Sequence, residues 1–285
     1  MERILVTGGN GFLGSALVRF FLTSGHEVSV TSRRSVNVRE QIHGFSPTVV
    51  IHCAWDGGNS YNDINSSKQV HNLTAGTQLL DILCELHTKP LFIGFGTFAE
   101  YGVLASRATD TTPDAPINLY GQTKSCFRSI SKMICEHNGI AWAWIRPCFV
   151  YGSGDVSTRL IPSMLTRLRR DTPIIMDSCT TTIDYLHIDD FCTGVEIVMT
   201  TRSTGVFNVC SGKEYSVREI VETLHRLTSS AATVIFDPTR DRIGVSKYNC
   251  GEPGRLLSLG WRPRVSLDDG LLQLRNECEK TQGET

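Results

Sequence analysis

The segment that most restricts this chain is Thr7-Gly8-Gly9-Asn10-Gly11-Phe12-Leu13-Gly14. A short apolar stretch, Arg3 to Thr7, precedes it and reads as a strand. After it, Leu13, Leu17, Phe20 and Phe21 recur near helical spacing until Gly25. A strand that enters a helix through so tight a turn leaves few architectures open. The turn contains G-x-G-x-x-G at Gly9, Gly11 and Gly14, and G-x-x-G-x-x-G at Gly8, Gly11 and Gly14. Glycine allows the tight bend, the approach of backbone to a pyrophosphate, and close packing of helix on strand. The helix N-terminus then offers N–H groups to phosphate oxygens. Such a pattern is weak alone and gains weight from its place directly after the first strand.

The remainder alternates in the same way. HEVSVTS, PTVVIHCAW and KPLFIGFGT read as strands, and IAWAWIRPCFVYG as a strand running into a loop. NLTAGTQLLDILCEL and LYGQTKSCFRSISKMICEHNG read as helices. Continuous rather than alternating apolar strands suit a parallel sheet covered on both faces. After Gly152 the rhythm loosens, with helices at TRLIPSMLTRLRRD, SVREIVETLHRLTS and the C-terminal RLLSLGWRPRVSLDDGLLQLRNECEK. Ser216 with Glu219 three residues on has the form of a capping box. The expected fold is α/β: a Rossmann-type doubly wound parallel sheet with a smaller C-terminal α/β lobe for substrate. Residues 1–152, completed by about 184–212, form the expected nucleotide-binding domain, and 153–183 with 213–285 the expected lobe.

Composition bounds the function classes. With 28 Lys+Arg against 29 Asp+Glu the net charge is -1, so nothing marks a nucleic-acid partner. No run approaches the roughly 18 apolar residues of a membrane span. The N-terminus enters a strand without a leader-like apolar stretch, so a cytoplasmic location is expected. The 10 cysteines are scattered, without CxxC or zinc spacing, and read as reduced thiols with no metal site. The polar tail from Asn276 is expected to fray.

Two further places carry chemistry. The second strand ends in Thr31-Ser32-Arg33-Arg34, with no acidic residue for ribose hydroxyls. Hydroxyl and guanidinium groups there suit a ribose 2′-phosphate, which favours NADP(H) over NAD(H). Tyr120 and Lys124, in YGQTK, share one helix face. A nearby ammonium favours the tyrosinate and eases proton exchange near neutral pH. Thr97, in GTFAEYG just after a strand, sits where open α/β sheets bind ligands.

In order along the chain, TGGNGFLG, VVIHCAW, GTFAEYG, YGQTK, IRPCFVYGSG, DYLHIDD and LGWRPRVSLDDGL resemble the NAD-dependent epimerase/dehydratase family of extended short-chain dehydrogenases. The resemblance spans nearly the whole chain and implies that Thr97, Tyr120 and Lys124 are catalytic. The cofactor surface it implies comprises Gly8, Gly11, Phe12 and Leu13, then Ser32, Arg33, Arg34, Asn37 and Val38. His52, Cys53, Ala54 and Trp55 follow, with Asn72, Tyr120, Lys124, Arg146, Pro147 and Val150. Substrate contacts are expected from Thr97, Phe98, Trp55, Arg159 and Arg240, with Arg242 a further candidate cation. Trp55 reads equally well as core packing, and His187 as a structural histidine. A homodimer through a bundle that includes the YxxxK helix is also implied.

Departures from the family pattern narrow the expectation. The sugar 4,6-dehydratases carry Asp-Glu after the active-site Thr, and this chain has Phe98 and Ala99. The stretch from Arg34 to Thr48 is too short for the extra strand of the larger epimerases. Ile183 stands before Asp184 where many members have Arg, so that motif says little about the nucleotide. The expected activity is NADPH-dependent reduction of a keto group on a nucleoside-diphosphate sugar, a 4-keto-6-deoxy sugar for preference. The alternatives are a 4-epimerase that retains NAD(P), a reductase of a non-sugar carbonyl, and a redox-sensing NADP-binding protein.

Overall fold

The computed structural model of the chain describes residues 1–32, 37–56, 66–241 and 246–280. The first half runs β1 (Arg3–Thr7), α1 (Phe12–Thr23), β2 (Glu27–Thr31), α2 (Val38–Phe45), β3 (Val49–His52), α3 (Ser66–Glu85), β4 (Leu91–Phe95), a 3-10 turn (Phe98–Glu100), α4 (Leu119–His137) and β5 (Ala141–Pro147). The second half runs β6 (Phe149–Tyr151), α5 (Leu160–Arg169), β7 (Ile174–Met176), β8 (Thr182–Ile183), β9 (Tyr185–His187), α6 (Ile188–Thr200), β10 (Gly205–Val209) and β11 (Tyr215–Ser216). It ends with α7 (Val217–Thr228), β12 (Val234–Phe236), β13 (Tyr248–Asn249), α8 (Gly254–Ser258) and α9 (Leu267–Lys280).

Six strands form one parallel sheet in the order β10-β5-β4-β3-β1-β2. The direction of growth reverses between β1 and β3, which makes their C-terminal ends the switch point of a doubly wound α/β fold. Successive side chains of β1 go to opposite faces, as strand geometry requires. Ile4 and Val6 join one core with Leu17 and Phe21 of α1 and Val195 of α6. Leu5 joins the other with Leu80 and Leu83 of α3 and Phe127 of α4. All residues of β3 and β4 are buried, which accounts for their unbroken apolar sequence.

A third apolar core is built from Leu165 and Leu168 of α5, Ile220 and Leu224 of α7, and Leu271 of α9. Small sheets edge it: β11-β8-β13, β12-β7 and β6-β9. The Ser216 capping box is formed, with Ser216 Oγ accepting from Glu219 N–H while the Glu219 carboxylate accepts from Ser216 N–H.

Three local features differ from or add to the expectations. The run from Ile140 to Gly152 is two strands: β5 lies in the main sheet, whereas β6 pairs with β9, Phe149 opposite Tyr185. Pro147 has no N–H for the ladder, so the chain leaves the sheet there. The stretch between β2 and β3 holds the helix α2, whose Ile42 is fully buried. The C-terminal helix continues past Asn276 to Lys280, held by buried Leu274 and by Arg169 Nη1 donating to the Cys278 carbonyl at 2.8 Å. All ten cysteines are free thiols, six of them buried. Among the described residues no helix is long and apolar enough to cross a membrane.

Candidate active site

The glycine turn closes on its own backbone. Gly11 N–H donates to the Gly8 carbonyl at 3.0 Å and Ser15 N–H to the Gly11 carbonyl at 2.8 Å. Gly14 lies so close beneath that a Cβ would stand 2.2 Å from Gly8 O, so packing forbids any side chain there. Gly11 is different. It is exposed, has φ -81°, and an added Cβ would meet only Gly8 O, at 3.4 Å. Nothing in the protein's own packing requires glycine at that position, so the open space above Gly11 fits a group approaching from outside. α1 starts there with no side-chain cap and no acidic residue in its first turn. Its N–H groups and dipole therefore suit an anion, as a dinucleotide pyrophosphate would present.

At the switch point Thr7 and His52 are paired in register, and Thr7 Oγ1 and His52 Nδ1 are 2.8 Å apart. Ala54 N–H also donates to Thr7 Oγ1, at 3.3 Å. His52 is buried against Phe92 and Phe127, so its ring fixes the strand ends rather than facing the open edge. Asn72 works in the same way. Its Oδ1 accepts from Asp56 N–H at 2.9 Å and its Nδ2 donates to Asp56 O at 2.8 Å, which pins the loop that carries Cys53, Ala54 and Trp55.

Thr97 follows β4 and starts the 3-10 turn as a full capping box. Its Oγ1 accepts from Ala99 N–H at 3.2 Å, while Glu100 accepts from Thr97 N–H at 2.9 Å. Engaging the acceptor side of the hydroxyl leaves its proton to donate. α4 approaches this turn closely: a Cβ on Gly121 would lie 2.4 Å from the Ala99 carbonyl. Asn118 caps α4 by accepting from Gly121 N–H at 2.8 Å, and Tyr120 and Lys124 follow in the first two turns.

Lys124 is 4% exposed, unusual for a lysine. Its Nζ donates to the Phe95 carbonyl at 2.6 Å and sits 3.9 Å from the centroid of the Trp55 ring. Burial lowers its pKa to about 7, with the Glu100 charge pulling it back upward. Trp55 therefore packs and contacts at once: it stacks obliquely on Phe127, donates Nε1–H to Gln69 Oε1 at 3.1 Å, and offers its face to the ammonium. Burial raises the Cys53 thiol pKa well beyond the usual range, so it is an inert thiol at the edge.

Other expected site residues are placed differently. The Phe98 ring is withdrawn into the main core, edge-on to Tyr101 at 5.5 Å and tight against Gly251, so an expected substrate contact lies inside the protein. The Arg146 side chain is 1% exposed and committed to Glu100 and Asp114, and Val150 is a core residue. Pro147 stays half-buried at the end of β5. Phe12 and Leu13 are half-buried, packed on the core beside the glycine turn. Arg159 reaches from the start of α5 to within 5.9 Å of the Phe12 ring, held by Asp155 at 2.9 Å. This brings an expected substrate cation beside the expected cofactor turn. Arg240 is exposed, pairs with Asp237 in its own turn at 3.6 Å, and joins neither group. Asn37 is exposed in a left-handed conformation ahead of α2, Val38 packs inward, and Ser32 is half-buried. Arg33, Arg34 and Arg242 lie outside the described residues. His187 is buried against Tyr151 and accepts from Asp189 N–H at 3.3 Å, a structural setting. Sequence reading overlooked the buried Glu100 and the half-buried Asp114 and Arg128. The spacing of Thr97 and Glu100 as a capping box was the one local signal for them.

The family model described as NAD dependent epimerase/dehydratase matches residues 4–210. A dTDP-6-deoxy-L-talose 4-dehydrogenase (NAD(+)) of Aggregatibacter actinomycetemcomitans is 25% identical over 248 residues, covering 77% of this chain and 88% of that protein. A GDP-6-deoxy-D-mannose reductase of Pseudomonas aeruginosa is 24% identical over 302 residues, covering 98% and 97%. The solved structure of RMD from Pseudomonas aeruginosa complexed with NADPH shares the fold at a TM-score of 0.85 and 19% identity, covering 99% of this chain and all of that one. With the glycine turn, the YxxxK helix and the parallel sheet in one register, this chain belongs to the NAD-dependent epimerase/dehydratase family.

Proposed function

We propose that this protein uses NADPH to reduce a keto group on a nucleoside-diphosphate-linked sugar, with a 4-keto-6-deoxy sugar as the preferred substrate. The carrying observation is Lys124, an ammonium sealed under the sheet edge one helical turn from Tyr120, with the Thr97 turn packed against the same helix. Bound NADPH supplies the hydride that converts the carbonyl to an alcohol. The Tyr120 phenol gives its proton to the developing alkoxide, the Thr97 hydroxyl donates a hydrogen bond to the same oxygen, and Lys124 stabilises the tyrosinate left behind. Gly11 and the start of α1 take the pyrophosphate, and Arg159, beside Phe12, is placed to meet a substrate phosphate.

Reduction is favoured over dehydration because Phe98 and Ala99 offer no acid-base pair after Thr97. The names of the dehydrogenase and reductase relatives support keto–alcohol chemistry on deoxysugars. The preference for NADP(H) rests on Ser32-Arg33-Arg34 and on the lack of a carboxylate at the end of β2. The protein is proposed to act as a homodimer, which would cover Met133 and Ile130 of α4 and Val70 of α3, 72%, 38% and 57% exposed.

The test mixes purified protein, NADPH and a panel of nucleoside-diphosphate 4-keto-6-deoxy sugars, follows the reduced-nicotinamide absorbance and identifies the product. Consumption of NADPH with formation of a saturated deoxysugar is expected. Interconversion of saturated nucleotide sugars without net NADPH use would replace the reductase with an epimerase.

A further inference from the structure

Glu100 is fully buried, yet it touches the main chain that presents Thr97. Its Oε1 accepts from Thr97 N–H at 2.9 Å. Trp144 Nε1–H lies 3.3 and 3.2 Å from its two oxygens, and Arg146 Nε donates to Oε2 at 2.8 Å. The chain of charges continues, since Arg146 Nη2 donates to Asp114 Oδ1. Asp114 Oδ2 in turn accepts from the Ser125 hydroxyl and from Arg128 Nη2, the latter at 2.7 Å. Arg128 closes the ring with its Nε 3.8 Å from Glu100. Ser125 and Arg128 belong to α4, directly after Lys124. Two carboxylates and two guanidiniums, of zero net charge, therefore tie the Thr97 turn to the helix of Tyr120 and Lys124.

Stability alone is a poor reason for such a ring, because buried ion pairs are often replaced by apolar groups without loss. The backbone also makes room for it: a Cβ on Gly96 would stand 2.1 Å from Glu100 Oε1 and 2.3 Å from Trp144 Nε1. A three-residue turn needs no buried carboxylate to cap it. What this carboxylate adds is a fixed relation between the turn and α4.

We propose that Glu100 is a positioning residue, which holds the Thr97 hydroxyl in register with Tyr120 and Lys124 through the Thr97 main chain and the Arg146–Asp114 link to α4. Burial holds the Glu100 carboxyl above the usual carboxylate range, the Arg146 charge opposes that rise, and the Glu100 charge acts on Lys124. Cys53 faces Lys124 from the loop after β3, Arg146, Asp114 and Arg128 stand behind Glu100, and Tyr120 lies one turn away on the same helix. Burial drives Lys124 down to about 7, and the Glu100 charge opposes that fall. Removing the charge therefore lowers the pH at which Lys124 loses its proton.

The inference rests on the reductase reading, and its test has one arm that needs no turnover. The Trp55 ring touches the Lys124 ammonium, so its fluorescence should titrate with Lys124 near pH 7 in the free protein, and Lys124→Met should abolish that transition. In Glu100→Gln the midpoint should fall by about one pH unit. In the turnover arm, Glu100→Gln should lower kcat at least about tenfold while KM and NADPH affinity stay within about threefold, and the basic limb of kcat/KM should move down with the midpoint. Asp190→Asn is the comparison for plain destabilisation. It disturbs a buried carboxylate that accepts from Arg264 and Val265 N–H, remote from Thr97, and should lower the melting temperature without the kcat loss or the shifted limb. If Glu100→Gln does not fold, Glu100→Asp keeps the charge but withdraws the acceptor from Thr97, and should lower kcat with an unmoved limb. An unmoved midpoint with intact kcat, or a kcat loss matched by Asp190→Asn, would overturn the proposal. Absence of turnover in the native protein would remove the reductase reading and leave the fluorescence arm to decide the role of Glu100.

Discussion

Two turns share the C-terminal edge of the sheet, and they are made in opposite ways. The turn after β1 is shaped by missing side chains: backbone bonds close it, Gly14 lets α1 sit on it, and no buried charge among the described residues supports it. The turn after β4 is shaped by buried charge, with Glu100 bonded to the Thr97 main chain, paired to Arg146 and through it to half-buried Asp114. The first is a steric device, and under the proposed function it presents backbone N–H groups to the cofactor pyrophosphate. The second is an electrostatic device, and under the proposed function it presents the Thr97 hydroxyl to the substrate oxygen. A steric device should fail through volume and an electrostatic one through charge.

The largest effect is expected on the β4 side. Tyr120→Phe should lower kcat at least about 100-fold, the low end of general-acid effects, with NADPH affinity within about threefold by equilibrium titration. Retained turnover would detach the chemistry from α4. On the β1 side, Gly14→Ala drives a Cβ to 2.2 Å from Gly8 O and should cost about 1–3 kcal/mol of stability in a denaturant melt, with weakened NADPH binding. Gly11→Ala separates ligand from packing. Stability should hold within ~0.5 kcal/mol while NADPH affinity falls about tenfold, and unchanged affinity would remove Gly11 from the phosphate site.

The subtlest effect concerns Lys124. Burial takes its pKa from 10.5 down to about 7, so between those values the folded protein binds fewer protons than the unfolded chain. Its contribution to stability therefore rises with pH across that window, and the full cost of a buried ammonium applies below about 7. Lys124→Met lacks this dependence. Its stability relative to the native protein should be greatest near pH 7 and shrink toward pH 10, and a gap independent of pH would mean that Lys124 keeps its proton.

The same contrast explains what could be read from the chain. The glycine turn, α1 and the Ser216 capping box were legible because each is decided by residues within a few positions of one another. The strand β6 after Pro147 was read as a loop, because the β9 strand that pairs it into a different sheet lies far along the chain. Phe98 reads as a site residue from its place after Thr97, but the tight turn sends its ring into the core. Glu100 was not singled out from the sequence, and nothing near it in the chain says that it will meet Arg146, or that Arg146 will in turn meet Asp114. Arg159 and Arg240 look alike as candidate cations. Packing sets Arg159 over Phe12 and leaves Arg240 beside Asp237.

The sequence by itself determined the strand–glycine–helix entry, the parallel character of the sheet and the register of Thr97, Tyr120 and Lys124. Those depend on backbone freedom, hydrophobic period and helical spacing, which are short-range properties. Only the tertiary structure decided which of the charges meet, how dry Lys124 is, and which arginine reaches the glycine turn. Each depends on strands and helices far apart in the chain being packed close enough to exclude water, and the strength of a charge interaction is set by that exclusion.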